Sequence, residues 1–321
     1  MTRYDVFNGD ADGIASLLEL RLAQPCDTVL VTGCKRDIEL VARVPAVAGD
    51  RVTVLDVSLD VNRQAVETLL TRGVAVEYFD HHFAGDSPPP AGLVAHLDPS
   101  PGVCTGILVD RHVRGTQRIW AVVAAYGDNL RDAAHALAAP LALREADLAD
   151  LQALADGLTY NTYGDRPDDA IVAPDALFRA LLAARDPLRF VREDPAFARI
   201  DQARRHDMAL VRAVAPARRL PGARVYILPD EPWTRRTRGI FGNEIARAEP
   251  ALAHAVLTPG DHGDFVVSVR APRARPMGAD ALCRQFPTGG GRLAAAGIGR
   301  LGRDDFDRFV ACLAAAYPGP S

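Results

Sequence analysis

Five aspartates and a pair of adjacent histidines are the side chains of this 321-residue chain that could do chemistry together. They are Asp10 and Asp12 in the glycine-flanked loop NGDADG, Asp56, the run Asp80-His81-His82, and Asp128. Carboxylates that lie close together repel one another unless a cation lies between them or one of them is protonated. Mixed carboxylate and imidazole ligands suit Mn²⁺, Fe²⁺ or Co²⁺ better than Ca²⁺. These residue types therefore predict a binding site for transition-metal ions.

Each motif taken alone also has an ordinary structural explanation. Asp10 and Asp12 could cap the helix that follows them, where the helix dipole favours acids. Asp56 could begin a loop, and Asp128 could simply follow the end of a helix. Adjacent histidines also occur by chance on surfaces. The metal-site hypothesis therefore depends on the motifs occurring together at successive strand ends.

The elements that must position these residues are short β-branched strands that alternate with helices. The pattern predicts helices at 14–22 and 61–72 and strands at 4–7, 28–32, 52–55 and 74–79. Repeated strand–helix–strand units of this length predict an α/β domain with a parallel sheet and helices on both faces. Ligands of such sheets gather at the carboxyl ends of the strands. The acids at 10, 12, 56 and 80 all follow predicted strand ends, which favours one shared site.

The rest of the chain predicts a helical region and a second, smaller domain. Residues 121–184 are mostly helical and complete the first domain. The second domain is predicted to be α+β, with strands at 225–228, 253–257 and 265–270 and a final helix at 304–315. We place the first domain at 1–190, a helical linker at 191–215 and the second domain at 216–321.

Composition and charge exclude several classes of protein. Apolar residues make up 48% of the chain and charged residues 24%, which is typical of a globular protein. The net charge of −4 gives the whole chain no attraction to nucleic acid. The five cysteines are scattered without a C-x-x-C pair, which fits a reducing cytoplasm. No signal peptide or bilayer-spanning run is visible, so we expect a cytoplasmic protein without membrane contact. We interpret Lys35 and Arg36 as a solvated surface pair.

Taken in order, the motifs resemble those of the DHH phosphoesterase superfamily. The matching motifs are residues 8–16, Asp56, the run Asp80-His81-His82, and Gly127-Asp128. Further on, GGGRLAAAG at 289–297 resembles the glycine-rich signature of the DHH-associated C-terminal domain, and VSVR at 267–270 resembles the strand before it. The resemblance covers nearly the whole chain. It implies an active site in a cleft between two domains, as in nanoRNases, cyclic-dinucleotide phosphodiesterases and RecJ-type exonucleases.

The resemblance also implies a role for each matching residue. The implied metal ligands are Asp10 for a first ion, Asp12 for a second, Asp56 between both, and His81 and Asp128 for the second. His82 would touch the substrate phosphate, and Asp80 would orient a histidine, so that both serve catalysis together with Asp56. The implied cofactors are two divalent ions, with Mn²⁺ favoured over Mg²⁺ or Co²⁺. The implied substrate contacts are His82, Ser268, Arg270, Gly289, Gly290, Gly291 and Arg292.

Three positions depart from the pattern of the superfamily. Val6 stands where many small-substrate members have a histidine ligand, and Asn8 stands where RecJ-like members have an acid, so Asn8 would be a weak metal ligand. Arg292 replaces a histidine, and arginine can contact phosphate but cannot shuttle a proton near neutral pH. We expect the glycines before Arg292 to let backbone N–H groups approach phosphate, with an Ala-rich helix after them adding its positive dipole.

The resulting hypothesis is a phosphodiesterase that acts on short oligonucleotides or on linear or cyclic dinucleotides, with water activated by two metal ions. A RecJ-like single-strand exonuclease is an alternative that the absence of an apparent OB-fold or long basic channel disfavours. A pyrophosphatase or polyphosphatase is disfavoured by Val6. A non-catalytic nucleotide sensor with a degraded metal site is the alternative from another class. The sequence leaves a homodimer open.

Overall fold

The computed structural model describes residues 1–260 and 262–319. The chain divides into two compact units, Met1–Gln202 and Ala203–Ser321. The division falls inside the segment 191–215, which the sequence predicts to be a helical linker. In the described part of the chain, no helix has both the length and the apolar character that crossing a membrane requires.

A five-stranded, all-parallel sheet forms the centre of the first unit, which confirms the predicted α/β class. Its strands are β1 Arg3–Asn8, β2 Val29–Gly33, β3 Arg51–Leu55, β4 Ala75–Asp80 and β5 Val94–Leu97. The order across the sheet is β2-β1-β3-β4-β5. The buried apolar residues of β1, β3 and β4, such as Val6, Val54 and Tyr78, contribute to one core cluster. Strand β5 is an edge strand that the sequence pattern did not predict.

Nine helices of the described residues belong to this unit or cross its boundary. They are α1 Ala11–Ala23, α2 Leu59–Thr71, α3 Thr105–His112, α4 Arg118–Gly127, α5 Arg131–Ala138, α6 Glu145–Thr162, α7 Pro174–Ala184, α8 Pro187–Glu193 and α9 Pro195–Arg212. Helix α1 is buried almost throughout, since it packs against α3, α4 and the sheet. Helix α2 ends before Gly73, whose φ of 80° is the left-handed conformation expected after a helix. Short 3₁₀ turns occupy 41–43, 139–141 and 167–169.

The second unit is a six-stranded mixed sheet with three further helices. Its strands are β6 Arg218–Arg219, β7 Ala223–Ile227, β8 Ala253–Pro259, β9 Phe265–Arg270, β10 Gly289–Gly291 and β11 Ala295–Leu301, in the order β10-β11-β9-β8-β7-β6. Its helices are α10 Pro232–Ala248, α11 Ala279–Cys283 and α12 Phe306–Ala316, with a 3₁₀ turn at 303–305. Strands β7 and β8 pair in parallel, whereas the other neighbours are antiparallel. This architecture agrees with the predicted α+β class.

One predicted element of the second unit is wrong. The alanine-rich segment after the glycine run was expected to be a helix, and it is instead strand β11, paired with β10 and β9. Ile298 and Leu301 of β11 are buried in the core of this unit. Burial on the sheet and pairing with two neighbours therefore override the helix propensity of alanine.

Candidate metal centre

Neighbouring strands of the first unit end at the same edge of its sheet and carry the predicted acids there. Strand β3 lies between β1 and β4, and all three are parallel. Asn8 is the last residue of β1, Asp56 follows β3 directly, and Asp80 is the last residue of β4. The N–H of Asp56 donates to the carbonyl of Phe79 at 3.0 Å, which extends the pairing past the end of β3. The parallel topology thus gathers acids that are distant in sequence.

The loop from Asn8 to Gly13 holds Asp10 at the start of α1. Oδ1 of Asp10 accepts hydrogen bonds from the N–H groups of Asp12 (3.1 Å) and Gly13 (3.2 Å), so Asp10 is the N-cap of the helix. Oδ1 of Asn8 accepts from the N–H of Asp10 at 3.3 Å. Oδ2 of Asp10 contacts Nζ of Lys35. The interpretation of Lys35 as part of a solvated surface pair is therefore wrong, because its ammonium group pairs with a buried acid of the centre.

Asp12 is held by the first turn of another helix. Its Oδ2 accepts from the N–H of Thr105 and its Oδ1 from the N–H of Gly106, both at 2.9 Å. The hydroxyl of Ser16 donates to Oδ1 at 3.3 Å. Unpaired N–H groups and the positive dipole at a helix start stabilise an anion. The start of α3 therefore fixes both carboxylate oxygens of Asp12.

Asp56 has an unusual backbone conformation. Its φ is 56°, in the left-handed region that side chains other than glycine, asparagine and aspartate rarely adopt. Its side chain is almost fully buried, and its Oδ1 accepts a hydrogen bond from Oγ1 of Thr105 at 3.3 Å. Such conformations persist where the surrounding structure enforces them, and they concentrate at functional sites.

Asp80 is fully buried and holds His82. Oδ1 of Asp80 lies 2.7 Å from Nδ1 of His82 and also accepts from the N–H of His82 at 3.2 Å. Oδ2 accepts from the N–H of Leu59 at the start of α2 at 3.3 Å. With both oxygens occupied, Asp80 sets the orientation of an imidazole whose Nδ1 lies 4.0 Å from Oδ1 of Asp56.

His81 faces three carboxylates with a single ring nitrogen. Its Nε2 lies 3.2 Å from Oδ2 of Asp128, 3.5 Å from Oδ1 of Asp56 and 3.8 Å from Oδ2 of Asp12. Atoms that share a cation at bond lengths of about 2.0–2.2 Å are separated by such distances. Two sets of three residues each have donor atoms within 4.8 Å of one another. One set is Asp56, His81 and His82, and the other is Asp12, His81 and Asp128.

Asp128 reaches this cluster from the end of α4, which approaches α1 closely. A Cβ on Gly127 would lie 2.5 Å from Cβ of Ala11, so only glycine allows the two helices to come this near. Asp128 follows as the C-cap, and Asn129 after it has a left-handed φ of 61°. The glycine before Asp128 is thus required by packing, and it brings the carboxylate to His81.

Burial and crowding set the ionisation of the acids. Burial raises the pKa of Asp56 well above its usual value, and the charges of the neighbouring acids raise it further. Burial and the charge of Asp12 raise the pKa of Asp128 to about 6. Burial opposes ionisation of Asp10 as well, yet Lys35 holds the pKa of Asp10 below its usual value. Without a divalent cation, the acids therefore depend on Lys35 and on protons for neutralisation.

The donor set fits divalent transition ions. Asp12, Asp56 and Asp128 offer carboxylate oxygens, and His81 adds an imidazole nitrogen at the shared centre. A cation there would relieve the repulsion that raises the pKa values of Asp56 and Asp128. Asp10 would have to exchange its contact with Lys35 for a contact with an ion.

Three of the predicted substrate residues of the second unit, Ser268, Arg270 and Gly290, share one face of its sheet, whereas Gly289 and Gly291 point to the opposite face. Ser268 of β9 pairs with Gly297 of β11, which in turn pairs with Gly290 of β10. Directly paired residues of an antiparallel sheet share a face, and open space lies where a Cβ of Gly290 would stand. On β9, Nη1 of Arg270 donates to Oγ of Ser268 at 2.8 Å, and its Nε donates to Oδ1 of Asn243 at 2.7 Å. Gly290 thus leaves open space on the sheet face that carries Ser268 and Arg270.

The tip of the β10–β11 hairpin carries Arg292. Its N–H donates to the carbonyl of Ala295 at 2.9 Å, and Leu293 beside it is 60% exposed. Gly291 has a φ of 140°, and a Cβ there would lie 2.5 Å from Cα of Ala296, so the hairpin requires glycine at this position. Gly289 starts the same hairpin, where a Cβ would collide with the carbonyl of Cys283. The glycines therefore have a structural role in addition to the one predicted for them.

Sequence reasoning missed three residues that hold the centre. Thr105 and Gly106 hold Asp12 through backbone N–H groups, and Thr105 also donates its hydroxyl to Asp56, but no motif in the sequence marks either residue. Lys35 could have been found, because it follows β2, the strand next to β1, and parallel strands end at a common edge.

Comparisons with known proteins identify the fold but no close relative. No family model matches the chain, and no curated protein matches its sequence. Solved structures do match. Exonuclease RecJ bound to manganese has a TM-score of 0.62 and 19% identity, over 98% of this chain and 90% of that chain. The DHH domain of a member of a family of ribosomal proteins has a TM-score of 0.67 and 15% identity, over 98% of this chain and 86% of that chain.

A third similar structure is a pGpG-specific phosphodiesterase, PggH from Vibrio cholerae. It has a TM-score of 0.56 and 14% identity, over 98% of this chain and 98% of that chain. The chain therefore has the fold of the DHH-family phosphoesterases. The resemblance seen in the sequence motifs is confirmed at the level of the fold.

Proposed function

We propose that this chain is a metal-dependent phosphoesterase that hydrolyses phosphodiester bonds in short oligonucleotides or in linear or cyclic dinucleotides. The observation that carries the proposal is the position of His81, whose Nε2 lies within 3.8 Å of carboxylate oxygens from Asp12, Asp56 and Asp128. The similar fold of the manganese-bound RecJ and of the pGpG phosphodiesterase supports the same class of activity.

The motif resemblance assigns a role to each residue of the centre. Asp10 would hold a first ion, Asp12 a second and Asp56 both, while His81 and Asp128 would complete the second site. Bound divalent ions lower the pKa of water and stabilise negative charge on phosphate oxygens, and Mn²⁺ suits these mixed ligands.

His82 is assigned to the substrate phosphate. Burial opposes its charged form, yet its hydrogen bond to Asp80 raises the pKa of His82 above its usual value. A protonated His82 would donate a hydrogen bond to a phosphate oxygen from Nε2 while Asp80 holds Nδ1. Asp80 acts through His82 and positions it.

The second unit is assigned to nucleotide binding. Arg270 offers a guanidinium group that suits phosphate oxygens, and the missing side chain of Gly290 leaves open space on the same sheet face. Arg292 at the hairpin tip adds a cation that keeps its charge at any pH of interest. We also propose a cytoplasmic location, which the five free cysteines support.

A substrate panel tests the proposal. Purified protein is incubated with two- to five-nucleotide RNAs, linear and cyclic dinucleotides, long single strands and pyrophosphate, each with Mn²⁺ or Mg²⁺ and with a chelator as control. We expect metal-dependent hydrolysis of the short substrates at the highest kcat/KM.

Other outcomes of the same panel would identify the alternatives. A preference for long single strands would replace the proposal with a RecJ-like exonuclease, and phosphate release from pyrophosphate alone would indicate a pyrophosphatase. Binding of dinucleotides without turnover of any substrate, by protein that contains its metal ions, would make the chain a nucleotide sensor.

A further inference from the structure

A second group of metal-ligand side chains lies in the first unit, outside the DHH motifs. Glu77 belongs to β4, His96 to β5, and His112 is the last residue of α3. One donor atom from each lies within 4.8 Å of the others. These residues come from three separate elements, and the phosphoesterase mechanism proposed above uses none of them.

The pairing of β4 with the edge strand β5 brings Glu77 and His96 together. Glu77 pairs with Val94 and Phe79 with His96, so all four side chains lie on one face of the sheet. Glu77 and His96 are diagonal neighbours on that face, and Oε1 of Glu77 lies 3.0 Å from Nε2 of His96. Both side chains are about one-third exposed, at 38% and 32%, so solvent and ions reach them.

Aromatic packing orients both histidines over a buried ring. The ring of Phe79 is fully buried and stacks on His96 with centroids 4.3 Å apart and planes at 11°. The ring of His112 makes T-shaped contacts with Phe79 and with His96, with centroids 5.1 and 5.0 Å apart. These contacts restrain the orientation of the two imidazoles.

A further donor stands next to His112. Gln24, the C-cap of α1, places Nε2 of its amide 3.4 Å from Nε2 of His112. The nitrogen and oxygen of such an amide are interchanged by a half-turn, which would place an oxygen ligand at the same point. A surface cavity of about 330 Å³ is lined by Gln24 and Glu77 and also by Arg3, Arg21 and Arg51, so a cation would reach the two histidines from their own exposed side rather than through this cavity.

We propose that Glu77, His96 and His112 form a second cation site that binds Zn²⁺. Two imidazoles and one carboxylate form a zinc ligand set that leaves one position open, for water or for the Gln24 amide oxygen. The carboxylate-rich centre at the strand ends offers more oxygen ligands, which favour Mn²⁺ and Mg²⁺. The two sites therefore differ in the metal that they select.

A cation at this site would tie three elements together. It would join the edge strand β5 to β4 and to the end of α3, and it would raise the stability of the folded chain because it binds the folded state preferentially. Helix α3 begins with the two N–H groups that hold Asp12. The second site does not depend on the proposed function, since it requires no turnover.

Zinc binding in a chain with a disabled first centre tests the proposal. The variant Asp12→Asn/Asp56→Asn removes two carboxylates from the DHH motifs, and calorimetry then measures the number of Zn²⁺ bound and their affinity. We expect one zinc per chain. Adding His112→Gln or His96→Gln should weaken this binding by at least about tenfold, the loss typical of disturbing a metal site. His135→Gln, which changes an exposed histidine on α5, should leave binding unchanged.

A second measurement keeps the test independent of how the double variant folds. In the chain with its DHH motifs intact, Co²⁺ replaces Zn²⁺, and His112→Gln should remove one equivalent of bound Co²⁺ together with its visible absorption. Equal zinc affinity with and without His96 and His112 would overturn the proposal. A double variant that is folded and binds no zinc would do so as well.

Discussion

The metal centre of the first unit differs in construction from the glycine face of the second unit, which is the sheet face that carries Ser268, Arg270 and Gly290 together with the adjoining hairpin tip. In the centre, Asp12 and Asp80 each have both carboxylate oxygens held by hydrogen bonds. On the glycine face, open space lies where a side chain of Gly290 would stand, and Arg292 stands on an exposed hairpin tip. The first arrangement fixes atoms in advance, whereas the second can adapt to what it binds. Single substitutions should therefore change the rate of hydrolysis strongly in the centre, whereas on the glycine face they should change substrate binding only moderately.

The largest effect is expected from Asp56→Asn, which keeps the shape of the side chain and removes its charge. We expect hydrolysis to fall by about a thousandfold or more, because losing a single preorganised group commonly costs about 10²–10³ in rate. The rate is measured with the best substrate of the panel at saturating Mn²⁺. Asp132→Asn, an exposed acid on α5, is the matched control and should retain full activity. Substantial activity in Asp56→Asn would contradict the bridging role.

A smaller effect, on stability, is expected from Asp128→Asn in the metal-free protein. The pKa of Asp128 is about 6 in the folded chain against an ordinary value of 3.8, so the folded state binds the proton more tightly than the unfolded state. The protonated Asp128 makes its full contribution to the free energy of unfolding below about pH 4, and that contribution is lost as the pH rises through about 6. Between pH 4 and pH 7, the free energy of unfolding of the wild type should therefore fall by about 2 kcal/mol more than that of the variant.

Chemical denaturation at several pH values measures this difference. Saturating Mn²⁺ should reverse it, because a bound cation favours the ionised carboxylate. A difference between wild type and Asp128→Asn that stays constant from pH 4 to pH 7 would show that crowding of the acids does not act through Asp128.

Lys35→Met should have a smaller effect, which raises the affinity for metal ions and lowers the stability of the metal-free chain. The ammonium group of Lys35 occupies Oδ2 of Asp10, so it competes with a cation for that oxygen. We expect Mn²⁺ to bind about tenfold more tightly to the variant, since removing a like charge favours the ion. The metal-free variant should be less stable than the wild type. Arg36→Met, in which the lost partner is Asp165, is the control and should change neither quantity at the centre.

The smallest effect is expected on the glycine face. Arg292→Ala should raise KM for a dinucleotide about threefold with kcat nearly unchanged, because an exposed charge–phosphate contact contributes at most about 1 kcal/mol. Arg270→Ala should raise KM more, since Arg270 is also held by Ser268 and Asn243. If Arg292→Ala instead lowered kcat as strongly as Asp56→Asn, the contrast between the two regions would be wrong.

Much of the first unit could be predicted because the same sequence segments indicate both the strands and the metal-binding acids that follow them. Strands β1, β3 and β4 are runs of β-branched and aromatic residues, and each leads directly into an acid of the centre. Strand β5 was missed because its four residues follow a proline-rich segment and include His96. Helix α3 holds Asp12 through N–H groups, and backbone groups leave no mark in a sequence.

The second unit was harder to predict because local preference and tertiary pairing disagree there. Alanines after Arg292 favour a helix in isolation, and the pairing of β11 with β9 overrides that preference. The sequence pattern does predict strands that correspond to β7, β8 and β9 and a helix that corresponds to α12, and it places Ser268 and Arg270 on β9. The pairing of Lys35 with Asp10 was missed in the first unit, although the position of Lys35 after β2, the strand beside β1, could have indicated it.

The left-handed backbone of Asp56 has a consequence for any attempt to make this protein more robust. An aspartate held at a φ of 56° costs on the order of 1 kcal/mol, and glycine at the same place would relieve that strain and remove a buried carboxyl group. A screen for heat resistance would therefore tend to enrich Asp56→Gly. The variants selected by such a screen would have higher thermal stability but no hydrolytic activity. Thermal selection on this chain therefore needs a parallel assay of turnover.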